Sequence, residues 1–228
     1  MAELDVDAAM PVCPVCCGTQ TRSFFTLNDV PCLDGILWPT REEAQVAPRG
    51  DIDLHYCSGC SHVFNTRFDP AKLILDGSYD VSQHHSPSYQ QFVAACVERL
   101  VEQYGLRSKT ILEIGCGKAD FLKAICLEFG NRGIGFDPTF TPDGLSESDR
   151  RLIQVFPQRF TGDYAGPRAD LVAIRSVLQY TTTPREFLQS IRPTLAEPTG
   201  AIYAEVANSA HVFERLCIWN IVYEQGCF

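Results

Sequence analysis

Long apolar runs are missing from this chain of 228 residues, and so is any excess of positive charge. A bilayer-crossing helix needs roughly 20 consecutive apolar residues, so none is expected. The formal charge of −9 argues against nucleic acid and anionic membrane as partners, because both are bound through a basic face. Met1 to Asp7 is acidic and lacks the basic and apolar regions of a secretory leader, which makes a cytoplasmic location the default expectation. No internal repeat or low-complexity segment stands out. Cysteine, by contrast, is plentiful: eleven residues, read in a reducing compartment as thiols or metal ligands and not as disulfides.

The most informative stretch is Thr110 to Asp137. Thr110–Ile114 is a short β-branched run suited to a strand buried on both faces. Gly115 and Gly117 follow, where glycine allows a tight turn and close approach of a ligand to the main chain. Asp120 to Phe129 has helical apolar spacing through Phe121, Leu122, Ala124, Ile125 and Leu127. Gly133–Phe136 is a second strand, with Asp137 at its carboxyl end, placed to accept hydrogen bonds from a ribose. A dinucleotide fingerprint needs a third glycine where Asp120 stands, and a phosphate-binding P-loop needs a G-K-[ST] that is absent. The order acid, then G-x-G-x-G, fits S-adenosylmethionine better. Glu113, Gly115 and Gly117 match it, and Ala119 replaces the last glycine. Cys116 reads as a small loop residue with no base beside it to make it a nucleophile.

Two C-x-x-C knuckles, Cys13-Pro14-Val15-Cys16 and Cys57-Ser58-Gly59-Cys60, open the chain. Each places two thiolates on one turn, and two such turns complete a tetrahedral Zn²⁺ shell. Unrelated thiol pairs or a redox motif are the alternatives. Cys17, His55 and His62 lie close enough to serve as ligands, but the symmetric four-cysteine set needs none of them. This gives a zinc-binding domain over residues 1–70, with short strands near Arg22–Leu27 and His62–Arg67.

Residues 71–108 read as a linker and an amphipathic helix, the helix running from about Ser88 to Tyr104. Within the linker, Tyr79 and the His84-His85 pair are either a plain polar segment or a loop touching substrate. Residues 109–228 continue as alternating elements: strands at Arg151–Phe156, Asp170–Arg175 and Gly200–Val206, and a helix at Pro184–Leu195. Such alternation predicts an α/β, doubly wound parallel sheet with ligands outside the carboxyl ends of its strands. Glu113–Gly117, Asp137, Ser176–Tyr180 and Glu205–Asn208 all fall at that edge.

Taken together, the knuckles, the linker with Tyr79, Glu-Ile-Gly-Cys-Gly-Lys, Arg-Ser-Val-Leu-Gln-Tyr, Glu-Val-Ala-Asn and the closing Trp-Asn-Ile-Val-Tyr-Glu-Gln resemble the zinc-containing, S-adenosylmethionine-dependent C-methyltransferases. The resemblance covers nearly the whole chain. It implies a class I, Rossmann-like methyltransferase core behind the zinc-binding domain. It implies cofactor residues Glu113, Gly115, Cys116, Gly117, Asp137 and Arg175, with Glu113 near the methionine end and Asp137 on the ribose. It also implies removal of a proton next to a ketone and attack of the enolate on the methyl group, on a small-molecule acceptor such as a keto-sugar linked to a nucleotide. Tyr223 and Glu224 are the matching catalytic positions, with Tyr79, His84 and Tyr180 as additions. The family's Tyr-Glu-His reads Tyr223-Glu224-Gln225 here, and its Leu-Glu-His reads Leu178-Gln179-Tyr180. Glutamine cannot move a proton near neutral pH, and tyrosine at its ordinary pKa is a poor base. The rival expectation is therefore a catalytically impaired cofactor- and zinc-binding protein with an interaction role. The family's sheet also continues beyond the fifth strand, so the chain reads as the front part of a longer protein.

Overall fold

The computed structural model describes residues 10–33, 35–73, 79–80 and 82–227. The acidic start at 1–7, and residues 77–78 and 81 of the linker, lie outside these.

The N-terminal part is an antiparallel sheet in the order β1-β2-β3. It comprises β1 (Thr21–Pro31), a short α1 (Arg41–Gln45) capped by the Thr40 hydroxyl, β2 (Arg49–Cys57) and β3 (Val63–Asn65). Sequence reasoning did not anticipate β2, and β1 runs further than expected with two register shifts. Cys32, Leu33, Ile52, Leu54 and Val63 form its core.

The helix α2 (Pro87–Tyr104) begins where expected. Ser86 caps it by accepting from the Tyr89 N–H, and Pro87 occupies the first turn, where no amide hydrogen is needed. Then come β4 (Thr110–Ile114), α3 (Asp120–Leu127), β5 (Arg132–Phe136), β6 (Ile153–Phe156), β7 (Leu171–Arg175), α4 (Pro184–Ile191) and β8 (Ala201–Glu205). The helix α4 is shorter than its apolar spacing suggests, because Pro193 closes the segment in a 3-10 turn. A last short helix is α5 (Ser209–Glu214).

The five strands pair in parallel in the order β6-β5-β4-β7-β8. The chain leaves β4 toward β5 and β6 on one side, then returns to β7 and β8 on the other. The reversal lies between β4 and β7, the place where open α/β sheets bind ligands. Side chains of α2 and α3 pack one face through Val97, Leu100, Phe121 and Ile125, while Ile191 of α4 joins Leu112, Val172 and Ile174 on the other. This is the α/β Rossmann-like arrangement expected from the strand and helix alternation.

Two features fix the parts together. Asn131, fully buried, donates to Leu106 O and Ile125 O and accepts from Lys109 N, which satisfies its amide between α2, α3 and β4. The segment at 223–227 returns to the N-terminal sheet: Asn65 N donates to Gly226 O, and Gly226 N to Gln179 O beside the parallel sheet.

Candidate functional site

The turn after β4 is built for close approach. Gly115 has φ +74, and a Cβ there would fall 2.2 Å from Val177 Cγ2. Gly117 has φ +52, and a Cβ there would meet nothing within 4 Å, because it points into an open cavity. Ala119 adopts φ +60, the same left-handed conformation that the pattern's third glycine would supply without strain. The amide of Gly117 donates to Asp137 Oδ2 over 2.7 Å, while Asp137 Oδ1 accepts from the Thr139 N–H and hydroxyl at 2.7 and 2.6 Å. A carboxylate has about four lone-pair sites, so Asp137 keeps capacity for a further donor.

The cavity measures about 800 Å³ and sits at the carboxyl edge of the parallel sheet. Glu113 lies at its floor, 2% exposed. Burial pushes its carboxyl up to about 8; the Arg175 guanidinium opposes that shift, and Asp137, Asp120 and Glu205 reinforce it. Arg175 Nε donates to Glu205 Oε2 at 2.9 Å and Nη2 to the Tyr89 hydroxyl at 2.6 Å, with its guanidinium 4.8 Å over the Phe121 ring. Arg175 therefore joins β7, β8, α2 and α3 beneath the cavity. Tyr89 was not singled out as a site residue; its signal was the four-residue step to Val93 on the inner face of α2. Cys116 lines the turn, but its thiol packs in the core toward Gly135, and burial raises its pKa far above the ordinary value.

On the other side of the cavity stand Tyr79, His84, Gln179, Tyr180 and Gln225. The hydroxyls of Tyr79 and Tyr180 are 3.2 Å apart. His84 has its Nδ1 buried without a hydrogen-bond partner. Lys118, next in the turn, pairs with Asp80 at 2.6 Å and holds that carboxyl below its ordinary value.

Tyr223 and Glu224 do not line the cavity. Tyr223 is 1% exposed within the core of the N-terminal sheet, where its hydroxyl accepts from Asp69 N and donates to Arg67 O. Glu224 is fully buried. Their neighbours Val222 and Gln225 are the residues of this segment that reach the cavity.

Cys13, Cys16, Cys57 and Cys60 converge, their Sγ atoms all within 4.8 Å of one another. Cys13–Cys60 and Cys16–Cys57 approach to 3.6 and 3.5 Å. Tetrahedral Zn²⁺ with bonds of about 2.3 Å needs sulfurs about 3.8 Å apart, so the cluster fits such an ion. The amide of Gly18 is the main cause lowering the Cys16 thiol to about 7, which favours the thiolate a metal takes.

The methyltransferase domain family matches residues 83–224. The chain belongs to this methyltransferase family. It is similar to the plantazolicin methyltransferase BpumL, solved in complex with SAH, at 19% identity over 62% of this chain and 56% of that one, with a TM-score of 0.44. It is also similar to Streptomyces venezuelae DesVI, at 22% identity over 57% of this chain and 59% of the other, with a TM-score of 0.40. A third similar structure is a putative S-adenosyl-L-methionine-dependent methyltransferase from Methanococcus maripaludis, at 15% identity over 57% and 66% of the two chains, with a TM-score of 0.41. No curated protein matches the chain. The chain spans 33%, 56% and 59% of the first three solved structures it matches. Among the described residues, no helix is long and apolar enough to cross a membrane.

Proposed function

We propose that this chain binds S-adenosylmethionine in the cavity at the carboxyl edge of the parallel sheet and transfers its methyl group to carbon of a small-molecule acceptor, with a nucleotide-linked keto-sugar as the leading candidate. The observation that carries the reading is the Gly117–Asp137 contact beside an open cavity, with Glu113 on the floor. Asp137 would hold the ribose, Glu113 the methionine end, and the Gly115–Gly117 backbone the space between. The bound cofactor would supply an electrophilic methyl on a sulfonium that needs no further activation. The protein's own tasks are then to orient the acceptor, to take a proton from it and to steady the enolate oxygen. Among the described cavity residues His84 is the imidazole, and its unpartnered Nδ1 suits the proton transfer. The Tyr79–Tyr180 hydroxyl pair suits the oxygen. A zinc ion on the four cysteines would hold the N-terminal knuckles together and take no part in the chemistry.

The second reading is cofactor binding without turnover. It is favoured by Tyr180 and Gln225, which line the cavity where the resemblance implies histidines. Calorimetry with S-adenosylmethionine beside a turnover assay on keto-sugar acceptors separates the two. Binding with methyl transfer supports the enzyme; binding without transfer on any acceptor supports the second reading; no binding removes both.

A further inference from the structure

We infer that Glu113 is a proton-exchanging specificity residue: its carboxyl is neutral in the free protein and ionises when the ammonium group of the bound cofactor's amino-acid end arrives, releasing a proton to solvent. This rests on the S-adenosylmethionine reading above and adds to it a ligand-selective pH dependence.

The geometry comes first. Glu113 Oε2 is buried and has no hydrogen-bond partner, yet its residue lines the cavity. Glu113 Oε1 lies 4.0 Å from Arg175 Nη1, beyond hydrogen-bonding distance. Arg175 spends its close donors elsewhere, on Glu205 of β8 and Tyr89 of α2. Among the described residues, the charged groups that act most strongly on Glu113 are Arg175 of β7 and the carboxylates of Asp137 after β5, Asp120 of α3 and Glu205 of β8. Asp120 is itself paired with Lys123. Of the groups packed there, Tyr89 bonds Arg175, Tyr203 donates to Glu205, and the buried thiols of Cys116 and Cys126 feel the Glu113 carboxyl. A buried carboxylate with no hydrogen bond and mostly acidic company is disfavoured as the ion. Its raised value of about 8 agrees with that placement.

An ammonium group supplies the missing donor and the missing charge together. The exchange balances: the carboxylic acid and the ligand's ammonium give a carboxylate–ammonium pair and one proton in solution. Affinity then rises with pH by about tenfold per unit, until the ligand's own α-amino group begins to deprotonate near pH 8. An adenosine ligand without the amino-acid end leaves Glu113 protonated and shows no such rise.

The test is calorimetry on the full chain between pH 6 and 7.5, in two buffers of different ionisation enthalpy. The probes are S-adenosylhomocysteine, which carries the amino acid, and methylthioadenosine, which lacks it. The expected result is release of about one proton per S-adenosylhomocysteine at pH 6, and none with methylthioadenosine. Glu113→Gln should abolish the release and flatten the pH profile. Should that variant fail to fold, the two-ligand comparison on the unaltered chain decides alone. Binding of S-adenosylhomocysteine without proton release and with flat affinity overturns the inference while leaving the cofactor reading intact. No binding of either ligand at any pH overturns both.

Discussion

The backbone N–H of Gly117 and the Oδ2 of Asp137 are 2.7 Å apart, which ties the turn after β4 to the end of β5. The contact aims the carboxylate at the mouth of the cavity and fixes the turn in its left-handed path. Asp137→Ala removes this bond and both Thr139 bonds on the other oxygen. It also removes the carboxylate proposed to hold the ribose; one hydrogen bond to a charged group contributes about 1.5–3 kcal/mol, so S-adenosylhomocysteine affinity should fall by roughly 10–100-fold. Calorimetry on a variant with unchanged circular dichroism checks this; undiminished affinity would remove Asp137 from the site.

Tyr223 gives the opposite pattern. Tyr223→Phe removes the hydroxyl that accepts from the exposed Asp69 amide and donates to Arg67 O, at a cost of about 0.5–1.5 kcal/mol in stability. Cofactor affinity should stay as it was, because the ring does not line the cavity. Thermal melts and calorimetry on the same sample distinguish this structural role from the catalytic one that the resemblance implies.

Glu113 should make the free protein less stable as pH rises. Its ordinary value is 4.5, against about 8 in the fold. Between those values the folded state holds a proton that the unfolded chain has lost, so stability falls with rising pH and levels off above about 8. Glu113→Gln should flatten that part of the profile in denaturant titrations run from pH 4.5 to 8. An unchanged slope would mean that the carboxyl is ionised throughout.

The four-cysteine cluster should carry about one zinc per chain by elemental analysis. Cys13 is fully buried, as is Cys57 at the end of β2, so Cys57→Ser should lose the metal and lower the melting temperature. A fully folded protein with no metal would leave the cluster as packed thiols.

The parallel core was legible because strands buried on both faces read as apolar runs: Leu171–Ile174 is one without a break, and Ile111–Ile114 is one apart from Glu113. The glycine turn was legible for a local reason, the spacing of Gly115, Gly117 and Asp137. The strand β2 was missed although Ile52 and Leu54 alternate with Asp51 and Asp53, since those acids read as loop. What could not be read were the long-range placements. Tyr223 is set by Arg67 and Asp69 across the chain, and Tyr79 meets Tyr180 only once the fold closes. No periodicity encodes such pairs.

Gly117 and Ala119 share one backbone region but should respond to exchange in opposite ways. Gly117→Ala places a methyl at φ +52, at a cost of about 1 kcal/mol in strain, and directs it into the open cavity. Its effect on S-adenosylhomocysteine affinity should therefore exceed its effect on stability. Ala119→Gly relieves strain of the same size at φ +60, partly offset by the extra freedom that glycine adds to the unfolded chain. Removing the fully buried Ala119 methyl costs about 0.8 kcal/mol, which offsets the relieved strain, so stability should stay within about 1 kcal/mol of the parent, with affinity unchanged because that side chain lies in the core and not in the cavity. Paired melts and binding isotherms on the two variants separate the roles. If Gly117→Ala binds as tightly as the parent, the turn is not where the ligand lies.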